Sequence, residues 1–140
     1  MSPNTAALFM RINAAGFAIF AFFWVGAAFP GLDGPARALL DLLDWPLDGA
    51  PAALDRYTRW LSSIGAGLTA AIAAMSWFIV APALQRRDRA IRNGAAIAII
   101  TWLIVDGAGS IASGVPSNAA FNAIFAALYL VPLIAVRLEP

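Results

Sequence analysis

The chain contains no cysteine and no histidine. Those two absences exclude disulfides, thiolate nucleophiles, Cys/His zinc sites and iron–sulfur ligation. They also exclude His-ligated haem or chlorophyll held by this chain. Lysine is missing too, since all nine basic residues are arginine. Charge of either sign is scarce at 12% of 140 residues, where soluble domains carry about 25%. With a net charge of +1 there is no electrostatic case for a nucleic-acid partner. No paired carboxylates, phosphate-cradling glycine loop, metal-ligand cluster or nucleophile–base pair is visible. The chain is therefore expected to be no enzyme, with no cofactor and no metal.

What is present is apolar. The hydrophobic share is 61%, more than a soluble chain of this size has interior to hide. Four runs approach the roughly 20 residues that span a hydrocarbon core of about 30 Å. They are predicted at about 12–29, 60–84, 94–112 and 119–136, all helical because an open sheet edge has no partner in lipid. The expected fold is all-α: one integral membrane four-helix bundle over 1–140. Phe29-Pro30-Gly31, the arginine-rich stretch from Gln85 to Arg89, and Gly114-Val115-Pro116-Ser117-Asn118 are the breaks between spans. The first run, preceded by Arg11 and carrying Gly26-Ala27-Ala28, also resembles a signal segment. It is long for that role and reads as a retained helix.

Arginine placement orients the spans. Arg86, Arg87, Arg89 and Arg92 crowd one short loop, and Arg11 and Arg137 fall on the same side. The other side carries Arg37, Arg56 and Arg59 against Asp33, Asp41, Asp44, Asp48 and Asp55. The bias predicts both termini inside.

The long connection, 30–57, holds a short amphipathic helix. Asp33-Gly34-Pro35 is a helix start, with Asp33 or Gly34 as N-cap. Leu39, Leu40, Leu42, Leu43 and Trp45 form its apolar face, and Arg37, Asp41, Asp44 and Asp48 its polar one. Such a segment is expected to lie at the outer membrane interface. Pro51 is expected to open an outward extension of the second span, with Tyr57 and Trp60 at headgroup level. Small residues recur at intervals of four (Ser62, Ala66, Ala70, Ala74; Ala119, Ala123, Ala127), the spacing that lets helices approach in lipid. Phe17, Phe20, Phe22, Phe23 and Trp24 give the first span a bulky side, expected to face lipid or a partner.

One constellation carries chemistry. Asp106 lies about 4–5 Å from the centre of the third span, where an ionisable side chain costs about 2.5–3.5 kcal/mol. Ser110 and Ser113 follow on its face. Asn118 and Asn122 enter from the fourth span, one turn apart, and Gly107, Gly109 and Gly114 would let the backbones close around the group. If an arginine pairs with Asp106, Arg59 is the nearest candidate by depth. Three readings stand open: a structural hydrogen-bonding cluster, a pocket for a quinone, lipid head group, pigment or similar amphiphile, and a proton or ion relay. Asn13 and Thr101 are lesser polar marks.

Trp45-Pro46-Leu47-Asp48-Gly49, Asp106-Gly107-Ala108-Gly109-Ser110 and Asn118-Ala119-Ala120-Phe121-Asn122 resemble segments of small four-helix inner-membrane proteins of proteobacteria. The resemblance implies a multi-pass protein of the bacterial cytoplasmic (inner) membrane and attaches no activity. The leading functional expectation is a non-catalytic membrane subunit or scaffold, for example an accessory subunit of a respiratory or photosynthetic complex. Its partners would be the lipid bilayer and other membrane subunits or further copies of itself. The alternative is a protein that handles a small molecule, proton or ion through Asp106.

Overall fold

The computed structural model describes residues 1–49 and 53–137. Among these the chain is helical throughout, with no strand. α1 is Pro3–Val25, followed by a 3₁₀ turn at Gly26–Ala28, and α2 is Gly34–Leu43. α3, Arg56–Met75, continues through a π-helical segment, Ser76–Val80, into α4, Ala81–Gln85. α5 is Arg89–Ala112 and α6 is Pro116–Ala135. Four stretches are long and apolar enough to cross a membrane: Pro3–Ala28, Arg56–Gln85, Arg89–Ala112 and Pro116–Ala135.

The helix ends follow from local chemistry. Ser2 caps α1, its Oγ accepting the Thr5 N–H at 3.2 Å, with Pro3 in the first turn. α1 thus starts at Pro3, ahead of the apolar run, and Ala6, Ala7 and Met10 of this early stretch are fully buried. Asp55 caps α3 by accepting the Tyr57 and Thr58 N–H groups at 2.7 and 2.8 Å. The second span therefore begins at Arg56, and the expectation placed on Pro51 falls outside the described residues. Between α5 and α6, Gly114 takes φ +82° and closes a Schellman turn, its own N–H on Ile111 O and the Val115 N–H on Ser110 O. At the other end Arg87 occupies the same left-handed position, with φ 59°, before Asp88 caps α5.

α1 threads the bundle. It packs along α3 on one side and across α6 on another, while α5 lies mainly against α6 and meets the second span chiefly at the π segment and α4. The aromatic side of α1 is consequently divided. Phe17 and Phe20 turn inward onto Phe125, with Phe17 also meeting Tyr129, whereas Phe22 and Phe23 stay exposed. Trp24 sits edge-on to Phe20, its ring against Gly65 of α3.

The two ends of the bundle differ. The apolar core gathers Met10, Val80, Leu84, Ile99, Ala126 and Leu133 in the half nearer the arginine-rich turn. At the other end α2 folds across the bundle, with Ala36 and Leu40 on Ala27 and Leu54, and the Ser117 hydroxyl donates to the Leu43 carbonyl at 2.6 Å. Beneath α2 the interior stays open.

Candidate functional site

The α5–α6 hairpin fixes the geometry around Asp106. Because the connecting turn is only a few residues long, the helices run antiparallel, and two turns of α6 pass the carboxylate. Asn122 Nδ2 donates to Asp106 Oδ1 at 2.8 Å, and Asn118 Nδ2 donates to the same oxygen at 3.2 Å. Ser110 Oγ, one turn along α5, donates to the Asp106 carbonyl at 2.8 Å and lies 3.1 Å from Oδ1. Asn118 also donates to Ser110 Oγ at 2.8 Å. Ser110 and Asn122 are buried, and Asp106 is half-buried. The three bonds that reach the carboxylate, from Ser110, Asn118 and Asn122, all end on Oδ1; among the described residues none reaches Oδ2.

The sequence-predicted constellation is thus partly assembled. Asp106, Ser110, Asn118 and Asn122 form one hydrogen-bonded group. Ser113 does not join it; it is exposed and lines the cavity beside the group. The glycines act differently from expectation. A Cβ added at Gly107 would make only ordinary contact with Ala119, and one at Gly109 would meet open space, so close backbone approach is not their contribution.

Arg59 is a correction. Its Nη2 lies 3.0 Å from Asp33 Oδ2, not on Asp106. Nε donates to the Leu54 carbonyl at 2.9 Å and Nη1 to the Ala27 carbonyl at 3.0 Å. The first turn of α3 aims this side chain at the loop before α2, where Asp33 is 7% exposed and also meets Arg37 Nε at 3.4 Å. Asp33 is the residue preceding α2 but makes no side-chain cap, because its carboxylate is turned to the arginines.

A cavity of about 750 Å³ opens over Asp106, roofed by the end of α2 and the turn after it. Asp41 of α2, with Asp44 and Asp48 of the turn after it, lines this space, Asp44 and Asp48 at its exposed edge. Asp41 Oδ1 also accepts the Gly49 N–H at 3.1 Å, which holds the turn in place. Thr58, Ser62, Ser110, Ser113 and Asn118 add hydroxyls and an amide, and Trp24, Leu40, Leu43 and Leu61 add apolar wall. Four carboxylates line the cavity, and no basic side chain is among its described lining residues. Such a space focuses negative potential and favours a cation over a neutral or anionic guest. The carboxylates do not converge: no group of three His, Cys, Asp or Glu side chains placed to hold a metal ion occurs among the described residues.

Sequence reasoning missed two elements of this end of the molecule. The Asp33–Arg59 pair joins residues of unrelated local pattern, and nothing in their spacing announces it. The acidic lining was visible as the spacing of Asp41, Asp44 and Asp48, but its direction depends on how α2 docks. At the start of α3, Asp55 has its carboxyl held below the ordinary 3.8 by the Thr58 backbone N–H first, then by the Thr58 hydroxyl and the Tyr57 N–H. No family model, no curated protein and no solved structure matches this chain.

Proposed function

We propose that this membrane protein binds a small organic cation, such as a protonated amine, in the cavity over Asp106. The observation that carries the reading is the Asp106 carboxylate itself. Its Oδ1 is fixed by side chains of two helices, while Oδ2 is left without a protein donor beside an acidic cavity of about 750 Å³. That volume lies in the range of small-molecule sites, about 300–1,000 Å³, and far exceeds a bare ion. The mixed lining suits an amphiphilic guest: carboxylates for its charge, Trp24 and the leucines for its body. The reading is of a binding protein: Asp106, held by neutral donors, offers a fixed negative charge to a guest.

The test uses a fluorescent quaternary ammonium and its uncharged carbon isostere on the detergent-solubilised chain. The cation is expected to bind saturably and the isostere weakly. Asp106→Asn keeps the volume and the contacts with Asn118 and Asn122 close to native, and is expected to abolish the preference. Equal binding of both probes, or an unaffected Asp106→Asn variant, would overturn the reading.

A second reading, a non-catalytic subunit of a larger membrane assembly, draws on α5. Its span has the smallest buried share of the four, 11%, and Ile97, Ile100, Ile104, Val105 and Ile111 stand exposed along it. Native mass measurement after mild extraction tests this, since a strictly monomeric species without co-purifying chains counts against it.

In either reading the arginine-rich end faces the cytoplasm of a bacterial cell and α2 lies in the opposite interface of the inner membrane. Arg86, Arg87, Arg89 and Arg92 support this orientation through the positive-inside bias. The absence of native cysteine makes it directly testable. A cysteine at Asp48 is expected to react with an impermeant maleimide from outside, and one at Arg87 only after the membrane is opened.

A further inference from the structure

Two openings on the surface meet at Ser63. One, of about 420 Å³, is lined by Ala28, Arg56, Arg59, Trp60 and Ser63 at the α2 end of the bundle. The other, of about 600 Å³, follows the seam of α1 and α3 from Val25 and Ser63 to Trp77 and Phe78. Its floor is small and open, with Ala18, Gly67 and Ala70 all exposed, and its rims are bulky, Phe22 being 73% and Phe78 74% exposed. From Ser63 to Trp77 is about 21 Å of helix at 1.5 Å per residue, longer than one leaflet's half of a core of about 30 Å. Together the openings read as a long apolar channel under a cationic, aromatic head.

The charge in that head belongs to Arg56. Arg59 already has its guanidinium on Asp33 and on two carbonyl oxygens. Arg56 is exposed and makes no ion pair among the described residues. The adjacent carboxylate, Asp55, does not answer it: both oxygens are taken up by the cap of α3, through Tyr57 and Thr58. Trp60, one turn along from Arg56, supplies an amphipathic ring of the kind that sits at headgroup level. The polarity profile, charge above and an apolar groove below, is that of a phospholipid entering head-up.

We infer that this groove holds one anionic phospholipid, its phosphate on Arg56 and one acyl chain laid along Gly67 and Ala70. The site is separate from the Asp106 cavity and stands whether or not that cavity binds a cation. Charge complementarity at Arg56 selects lipid over a second copy of the chain, since a transmembrane helix seated on the small residues would leave the arginine unanswered.

The experiment is native mass spectrometry of the full chain in mild detergent, titrated with phosphatidylglycerol or with diacylglycerol of the same acyl chains. One phosphatidylglycerol per chain is expected to remain bound, with roughly fivefold or greater preference over diacylglycerol, the effect of one surface arginine on an anionic lipid. Arg56→Gln is expected to erase the preference. Ala70→Leu, at an exposed position that leaves the core untouched, is expected to lower retention of both lipids by filling the channel. Equal retention of the two lipids by the native chain would overturn the inference, as would undiminished retention in Ala70→Leu. A dimer that Ala70→Leu dissociates would overturn it as well, by seating a second copy in the groove.

Discussion

The Asn13 amide on α1 donates to the Leu128 carbonyl on α6 at 2.8 Å, and Leu128 is the residue whose helical donor is replaced by Pro132. Proline at position i removes the N–H that would satisfy the carbonyl at i−4. In hydrocarbon no water can answer that oxygen, so a neighbouring helix must. Asn13→Leu is expected to cost about 1–3 kcal/mol, the range for an acceptor left without a partner out of reach of water. Pro132→Ala restores an N–H to α6. If the pairing is as described, Asn13→Leu becomes nearly neutral in that background, as read from a double-mutant cycle of reversible unfolding in bicelles.

The Asp106 group makes a smaller demand. Asn122→Ala removes one interhelical hydrogen bond, and such bonds average about 0.6 kcal/mol in membranes with an upper bound near 1.7. The bundle should therefore still assemble, with thermal unfolding in detergent only slightly lowered. A complete failure to fold would mean that the cluster is the keystone of the α5–α6 pair.

Arg59 and Asp33 should behave as a coupled pair. Arg59→Gln leaves a carboxylate at 10% side-chain exposure with only Arg37 beside it, and also loses bonds to two backbone carbonyls. Breaking a buried pair costs about 3–5 kcal/mol; with the Arg59 side chain 21% exposed, about 2 kcal/mol is expected here. Asp33→Asn should cost less, and the double variant should recover part of the loss. Additive single effects would contradict the coupling.

Asp55 predicts an acid limb. Its carboxyl is held below the ordinary 3.8 in the folded chain by the Thr58 and Tyr57 donors. A depressed folded value means the contribution is complete above the unfolded value and is lost as pH falls through the folded one. Protection of the Tyr57 and Thr58 amides, taken relative to their intrinsic exchange rates, should fall at pH below 3.8 in the native chain. In Asp55→Asn that acid loss of protection should be absent.

Gly65→Ala probes the wall between the α1–α3 seam and the cavity. A Cβ at Gly65 would stand 2.5 Å from the Trp24 ring, which is also held edge-on by Phe20. Overpacking of this kind costs about 1–3 kcal/mol. With Trp24 lining the cavity, its fluorescence should shift as the ring is displaced, and cation binding should weaken in parallel.

The four spans were legible because lipid imposes one requirement on every residue of a span, and composition reports it. Asp106, Ser110, Asn118 and Asn122 were legible for a related reason: helical spacing and a tight turn at Gly114 leave an antiparallel pair little freedom. Arg59 was misassigned because depth along a helix says nothing about rotation around it, and the first turn of α3 faces the loop, not the bundle. The early start of α1 had a signal in Ser2-Pro3, a cap and first-turn pair that hydropathy cannot register. The placement of Asp41, Asp44 and Asp48 along the cavity had none, since an amphipathic pattern defines two faces and leaves docking to choose between them.

The π segment at Ser76–Val80 has a consequence for how this sequence can change length. Its wide turn, with the Ala81 N–H reaching back to the Ser76 carbonyl, contains one residue more than an α-helix needs there. Losing a residue at this point converts the segment to ordinary helix and keeps Ala66 and Leu84 on the faces they now occupy. The same deletion elsewhere in the span would turn everything beyond it by about 100°. What the shortened chain would forfeit is the placement of Ser76, whose hydroxyl now lies 3.1 Å from that of Tyr129. The second span thus carries one position at which a single-residue deletion leaves the rest of the helix in register, at the expense of the Ser76–Tyr129 contact.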